Sequence, residues 1–465
     1  MRQKRRPGLH TNAGHAWASK TVGFDSGPLF RQTHEQMDFR LYTRCPIKAP
    51  VEAVTSIRPD TEIDPGEVGA DADELNAAWH AITRLYASGM HPAISLCVRR
   101  RGKTLFDRAI GHVSGTLPDD PADAPLVPVS FDTPFCLASA SKPITAMLIH
   151  KLVERELLGL DDRVADHLPD FGQHGKETIT IRHLLTHRAG LAITPKSTMD
   201  LELLAQPDKI LELLYAETPA WTPGRHMGYH ALTSGFLFAA LIQSVTGKTI
   251  DQVLDEEIRQ PMATRWLRYG AAREDHGLVA RNAFTGAPVP PPFSLLVERA
   301  LGLDVPGAVR LMNDPRFLST AVPSANIVAT AEETVRFFEV LRNGGYAGRT
   351  QIFKRETIRE AVANQSGMEP DATLLLPFRY GMGFMLGGEY ASLFGLRARH
   401  AFGHIGLTNT LCWADPDRDL SVALLTSGKP VLYPEFVSFA EAVFRIAGAC
   451  PRDSASASDS NLSPN

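Results

Sequence analysis

Ser139-Ala140-Ser141-Lys142 sets a hydroxyl three residues ahead of an amine. On a helix those two positions share a face, so the two side chains can meet. An alkyl hydroxyl attacks a carbonyl poorly until a neighbouring base takes its proton. A lysine serves as that base only when burial or a nearby cation lowers its pKa and keeps it neutral. S-x-x-K alone is a common tetrapeptide, and an N-cap serine followed by a solvated lysine would account for it. Two later segments give it weight.

The first is Pro223-Gly224-Arg225-His226-Met227-Gly228-Tyr229-His230-Ala231, a loop ahead of an apolar helical run from Leu232 to Val245. Tyr229 can share a proton with Ser139 and Lys142, as base for attack and acid for the leaving group. The bland alternative is a packing tyrosine with a bonded hydroxyl. The second is Phe402-Gly403-His404-Ile405-Gly406, just before the strand-like Leu411-Cys412-Trp413-Ala414. Glycines on both sides of a histidine let backbone approach a ligand, as a strand lining a cleft requires. The N–H of Leu407 would then be an oxyanion donor beside that of Ser139.

Taken in order, these three elements resemble the serine β-lactamase and penicillin-binding-protein superfamily, in the branch of class C-like β-lactamases and carboxylesterases. Ser139 and Lys142 match its S-x-x-K element, Tyr229 its tyrosine element, and His404-Ile405-Gly406 its K-T-G-type element. Flanking segments agree, among them Ile181 to His187, Ala189-Gly190-Leu191, Thr218 to Gly224, Ala329 to Glu333 and Asp415 to Leu420. The resemblance spans roughly residues 72 to 448. It implies a serine hydrolase working through an acyl-enzyme on Ser139. Lys142 and Tyr229 would exchange its proton, either of them as the resting base. Tyr229 or His404 would protonate the leaving alcohol, and Gly406, Leu407, Trp221 and Ala231 would line the oxyanion and substrate site. No metal or organic cofactor is implied.

Two departures bear on the substrate. Many relatives carry Asn where this chain has Ala231, and most β-lactamases carry Lys where it has His404. A methyl cannot bond a β-lactam side chain, and an imidazole is mostly neutral at pH 7. Both changes disfavour an anionic penicillin or a D-Ala-D-Ala end, and cost an uncharged ester less. A carboxylic ester is therefore the expected substrate. The alternatives are a β-lactamase or D-amino-acid peptidase acting on an amide, an acyltransferase, or a non-catalytic scaffold of the same fold.

The elements around these residues read as α+β, with an antiparallel sheet flanked by helices and an inserted all-α subdomain at roughly 160–323. A helix is expected from Ser139, with Pro143 in its first turn and Gly159 as its stop. Another is expected over Asp73 to Ser88, where Leu75, Trp79, Ile82 and Leu85 form a stripe. Ile94 to Val98 and Thr104 to Ile110 flank a polar turn and read as a hairpin. Ala331 to Arg342 reads as an amphipathic helix, Tyr380 to Leu386 and Leu420 to Thr426 as strands, and Tyr433 to Ala447 as a closing helix. Residues 1–66 are expected to be a poorly ordered extension, 67–450 the hydrolase domain, and 451–465 a disordered polar tail.

With 465 residues, 44% hydrophobic and 22% charged, the chain can bury a large core. A formal charge of −4 gives no reason to expect nucleic acid as a partner. No apolar run reaches the length of a membrane span, and the basic start lacks the apolar stretch of a signal peptide, so a cytoplasmic location is expected. Five scattered cysteines form no C-x-x-C pair. His183 and His187, and likewise His400 and His404, have helical metal spacing but lack a nearby acidic ligand. Ser324-Ala325-Asn326 copies another family motif, and a structural role is expected for it. No G-x-S-x-G elbow occurs, which disfavours an α/β-hydrolase.

Overall fold

β-Branched and apolar runs from both ends of the chain pair into one antiparallel sheet in the computed structural model, which describes residues 42–195, 200–367 and 369–452. Its strands are β1 (Thr55–Ile57), β2 (Ala93–Arg100), β3 (Lys103–Ser114), β4 (Arg379–Tyr380), β5 (Met385–Leu386), β6 (Phe402–Gly406), β7 (Thr410–Asp415) and β8 (Leu420–Thr426). They lie in the order β1-β3-β2-β8-β7-β6-β5-β4, and Val127–Pro128 adds a short ninth strand on β3. β8 reads Leu-Ser-Val-Ala-Leu-Leu-Thr and is buried at every position, as a central strand covered on both faces must be.

The helices form for local reasons. α1 (Ala72–Ala87) starts at Asp71, whose carboxylate accepts the N–H groups of Asp73 and Glu74, and it buries Leu75, Ala78, Ile82 and Leu85. α5 (Ala331–Arg342) opens with a reciprocal capping box between Thr330 and Glu333. α1 packs on the closing helix α6 (Phe436–Ala449), while α5 lies across β2, β7 and β8. The region from Val164 to Leu318 is mainly short helices, including α3 (Ile181–Leu185) and α4 (Thr233–Thr246). One strand, Arg268–Tyr269, interrupts it and joins Ile327–Ala329 and Phe135–Cys136 in a second sheet.

Three expectations need correction. Residues 42–66 are built into the fold, because β1 pairs with β3 and Arg58 forms an ion pair with Asp107. Residues 1–41 and 453–465, which carry the rest of the expected extension and tail, lie outside the described residues. The helix expected from Ser139 begins as a 3₁₀ turn, Ala138–Ser141, and continues as α2 (Lys142–Glu154). It ends before Gly159 because Glu156 takes a left-handed φ of 59°. The run from Tyr380 to Leu386 is a hairpin rather than one strand, since Gly381 N–H bonds Phe384 O at 2.9 Å. At Gly383, φ is 94° and a Cβ would sit 2.1 Å from that of Ala146, so glycine lets this turn press on α2. Among the described residues, no helix is long and apolar enough to cross a membrane.

Candidate active site

Ser139 sits in the 3₁₀ turn that delivers the chain into α2, and it is partly exposed while Ala138, Ala140, Ser141 and Lys142 are buried. The turn is bolted to Ile327, whose carbonyl accepts Leu137 N–H at 2.8 Å and whose N–H reaches Ser141 Oγ at 3.0 Å. Ala138 holds a left-handed φ of 48°, a strained conformation for a residue with a Cβ. On the other side β6 presses directly on the turn. A Cβ at Gly406 would lie 2.1 Å from Leu137 O and 3.1 Å from Ala140 N. Leu407, which follows, turns the chain back toward β7 with a φ of 27°. Cys136 is buried against Ala325 O and serves as packing.

Lys142 Nζ is 3.2 Å from Ser139 Oγ, 2.7 Å from Ala231 O and 3.2 Å from Ser324 O. The two carbonyls fix the direction of the amine and leave its remaining valence facing the serine. Burial lowers its pKa from 10.5 to about 7. Ala231 therefore acts through its backbone, and its methyl takes no part. Ser324 supplies only a carbonyl, and Asn326 spends its side chain on Val322 N, Phe317 O and Thr320 O, so this motif is structural.

The Tyr229 ring lies 4.8 Å from Lys142 Nζ. Its phenol interacts with Ser139, which pulls the pKa down, but burial outweighs this and pushes it above the ordinary tyrosine value. Its backbone N–H is gripped by both carboxylate oxygens of Asp371, at 3.1 and 3.0 Å. The ring is flanked by His187 at 4.9 Å and His404 at 6.0 Å between centroids. Trp221 lies over Gly228, its indole N–H donating to His226 O at 3.0 Å.

His404 differs from its expected part. It is 1% exposed, and burial, then the charge of Lys142, drive its pKa down to about 3. Nδ1 lies 2.7 Å from Ile405 O, so the neutral ring carries its proton there. An imidazole so held is a poor proton donor for a leaving alcohol. It packs beside Tyr229 as an uncharged wall.

Asp371 is a site residue that motif reading misses, and His187, read only as part of a flanking segment and a metal-spaced pair, proves to be another. His187 O accepts Gly228 N–H at 2.9 Å and its Nδ1 accepts His230 N–H at 3.3 Å, so it shapes the tyrosine loop. His183 Nδ1 accepts Thr180 N–H in a capping box, and His400 pairs with Asp417. Neither metal-spaced pair is thus arranged around a shared ion. Among the described residues, no group of three or more His, Cys, Asp or Glu is placed to hold a metal.

A serine on a strained turn, a buried lysine, a buried tyrosine and a glycine-edged strand thus meet on a β-lactamase/transpeptidase-like α+β fold, that of a serine hydrolase. The chain belongs to the Beta-lactamase family, whose sequence profile matches residues 80–435. It is 30% identical over 314 residues to the esterase/beta-lactamase LipL of Mycobacterium tuberculosis, covering 64% of this chain and 70% of that one. It is 28% identical over 316 residues to esterase EstB of Burkholderia gladioli, covering 62% and 76%. A penicillin-binding protein homologue from Caulobacter crescentus superposes with a TM-score of 0.67 at 25% identity, over 82% of this chain and 99% of the other.

Proposed function

We propose that the protein hydrolyses uncharged carboxylic esters through an acyl-enzyme on Ser139. The observation that carries this reading is the 3.2 Å approach of Ser139 Oγ to a lysine whose pKa burial brings to about 7. Neutral Lys142 takes the serine proton as Oγ bonds the ester carbon. The oxyanion rests on the N–H groups of Ser139 and Leu407. Tyr229, protonated and within reach of Ser139, gives its proton to the departing alkoxide and is resupplied from Lys142. Water then enters, loses a proton to the same pair, and releases the acid.

Ester rather than β-lactam is favoured because the cleft wall holds neutral His404 where an anion-attracting lysine would stand. Of the relatives compared above, EstB is named an esterase and LipL an esterase/beta-lactamase. The test is hydrolysis of p-nitrophenyl acetate by the wild type and by Ser139→Ala. The reading expects the variant to fall by at least three orders of magnitude, the usual cost of losing a nucleophile. Hydrolysis at the wild-type rate would remove it, and faster turnover of a chromogenic cephalosporin than of simple esters would favour a β-lactamase.

A further inference from the structure

The loop from Asp371 to Leu376 is tied to the tyrosine segment at three points. Asp371 grips Tyr229 N–H, Ala372 N–H donates to Met227 O at 2.8 Å, and Thr373 lies against Gly228. A Cβ at Gly228 would meet the Trp221 ring at 2.4 Å and Thr373 Oγ1 at 3.1 Å, so indole and loop meet at the residue that precedes Tyr229. The same Asp371 carboxylate also accepts Thr373 and Leu374 N–H at 2.8 and 2.9 Å, and Asp371 N–H closes the loop on Leu376 O at 3.0 Å.

What this well-anchored loop displays is unusual. Leu374 packs on the core, but Leu375 and Leu376 stand 56% and 53% exposed. Leu375 also holds a left-handed φ of 59°, a conformation that asparagine or glycine adopts more easily. Two adjacent leucines, each more than half exposed and the first on left-handed backbone, gain little from packing, and such features concentrate at ligand sites. The segment Thr373 to Phe378 contains no charged residue.

We propose that Leu375 and Leu376, with Trp221, form an apolar lip that binds the hydrocarbon chain of the substrate. Resting on the esterase reading, this assigns the substrate class as esters with a chain of several carbons. A chain leaving the acyl carbon on Ser139 past Tyr229 would run along this edge, and its burial there would favour it over acetyl.

The experiment compares kcat/KM for p-nitrophenyl octanoate and p-nitrophenyl acetate in the wild type, in Leu375→Asn/Leu376→Ser and in Leu375→Met/Leu376→Met. The octanoate-to-acetate ratio should fall about tenfold in the polar pair, the loss expected when part of two leucine contacts goes. The methionine pair should keep the wild-type ratio. An unchanged ratio in the polar pair overturns the lip, including when both esters lose equally, because the leucines would then support Tyr229 alone. Wild-type protein that sediments with phosphatidylcholine vesicles, with the ratio unchanged by the polar pair, would assign the leucines to a lipid surface instead. If the wild type cleaves neither ester, the esterase reading fails first. If it cleaves acetate but has no preference that the leucines control, only the lip fails.

Discussion

Lys142 can act as a base because it is dry. Its three partners are two carbonyls and the serine hydroxyl, and the nearby imidazoles of His187, His230 and His404 are all pushed toward neutrality by burial. Tyr229 is pushed the other way and keeps its proton, which suits the proposed division of base and acid between the two. With neutral Lys142 as the proposed base, kcat/KM for an uncharged ester should climb as pH rises through about 7 and then level off. Lys142→Arg should lose that limb and about 10²–10⁴ of the rate. A profile still rising through pH 9 would mean that the amine is not the titrating base. The same depression affects stability: the unfolded lysine keeps its proton up to its ordinary pKa of 10.5, so between about 7 and 10.5 this group makes the fold more stable as pH rises.

β6 and the serine turn meet backbone to backbone, and Gly406 permits it. At Gly406 a Cβ would fall 2.1 Å from Leu137 O, whereas at Gly403 it would fall 2.1 Å from Cys412 O in the neighbouring strand β7. Gly406→Ala must therefore move the strand off the turn and, with it, the Leu407 N–H proposed as an oxyanion donor. Loss of one such donor costs on the order of 10²-fold in kcat. We expect that loss in steady-state assays, with KM changed far less. A Gly406→Ala enzyme with wild-type kcat would show that β6 does not set the oxyanion site. These elements differed in legibility. Gly403 and Gly406 could be read from their spacing around His404, and the helices α1 and α5 from their caps and stripes. The role of His404 could not be, because a histidine in a sequence does not say whether it is wet, and burial decides its charge. Asp371 was equally silent, since it meets Tyr229 across 142 residues of chain with no motif around it.

The whole sheet depends on segments far apart in the chain. Its order takes β1 to β3 from the first quarter and β4 to β8 from the last, and the serine turn packs against β6 and β7. The alternating and apolar runs made most of these strands readable, whereas β1 is only three residues long and gave no pattern to detect. Its contribution comes with Arg58, the ion partner of Asp107, a carboxylate whose side chain is 1% exposed. A chain beginning at residue 67 should thus melt well below one beginning at residue 42, because it loses the edge strand and leaves that carboxylate without its cation, at a cost of about 3 kcal/mol or more. Equal melting temperatures for the two would contradict the placement of residues 42–66 in the fold.

If the buried Lys142 makes Ser139 the nucleophile of this cleft, the acyl-enzyme itself will carry the proof. Rapid acid quench of the protein turning over p-nitrophenyl acetate, followed by peptide mapping, identifies the acylated residue. An acetyl group is expected on Ser139, accumulating faster at pH 8 than at pH 6 and missing in Lys142→Met. Acetyl found on another residue, or on Ser139 to the same extent without Lys142, would contradict it.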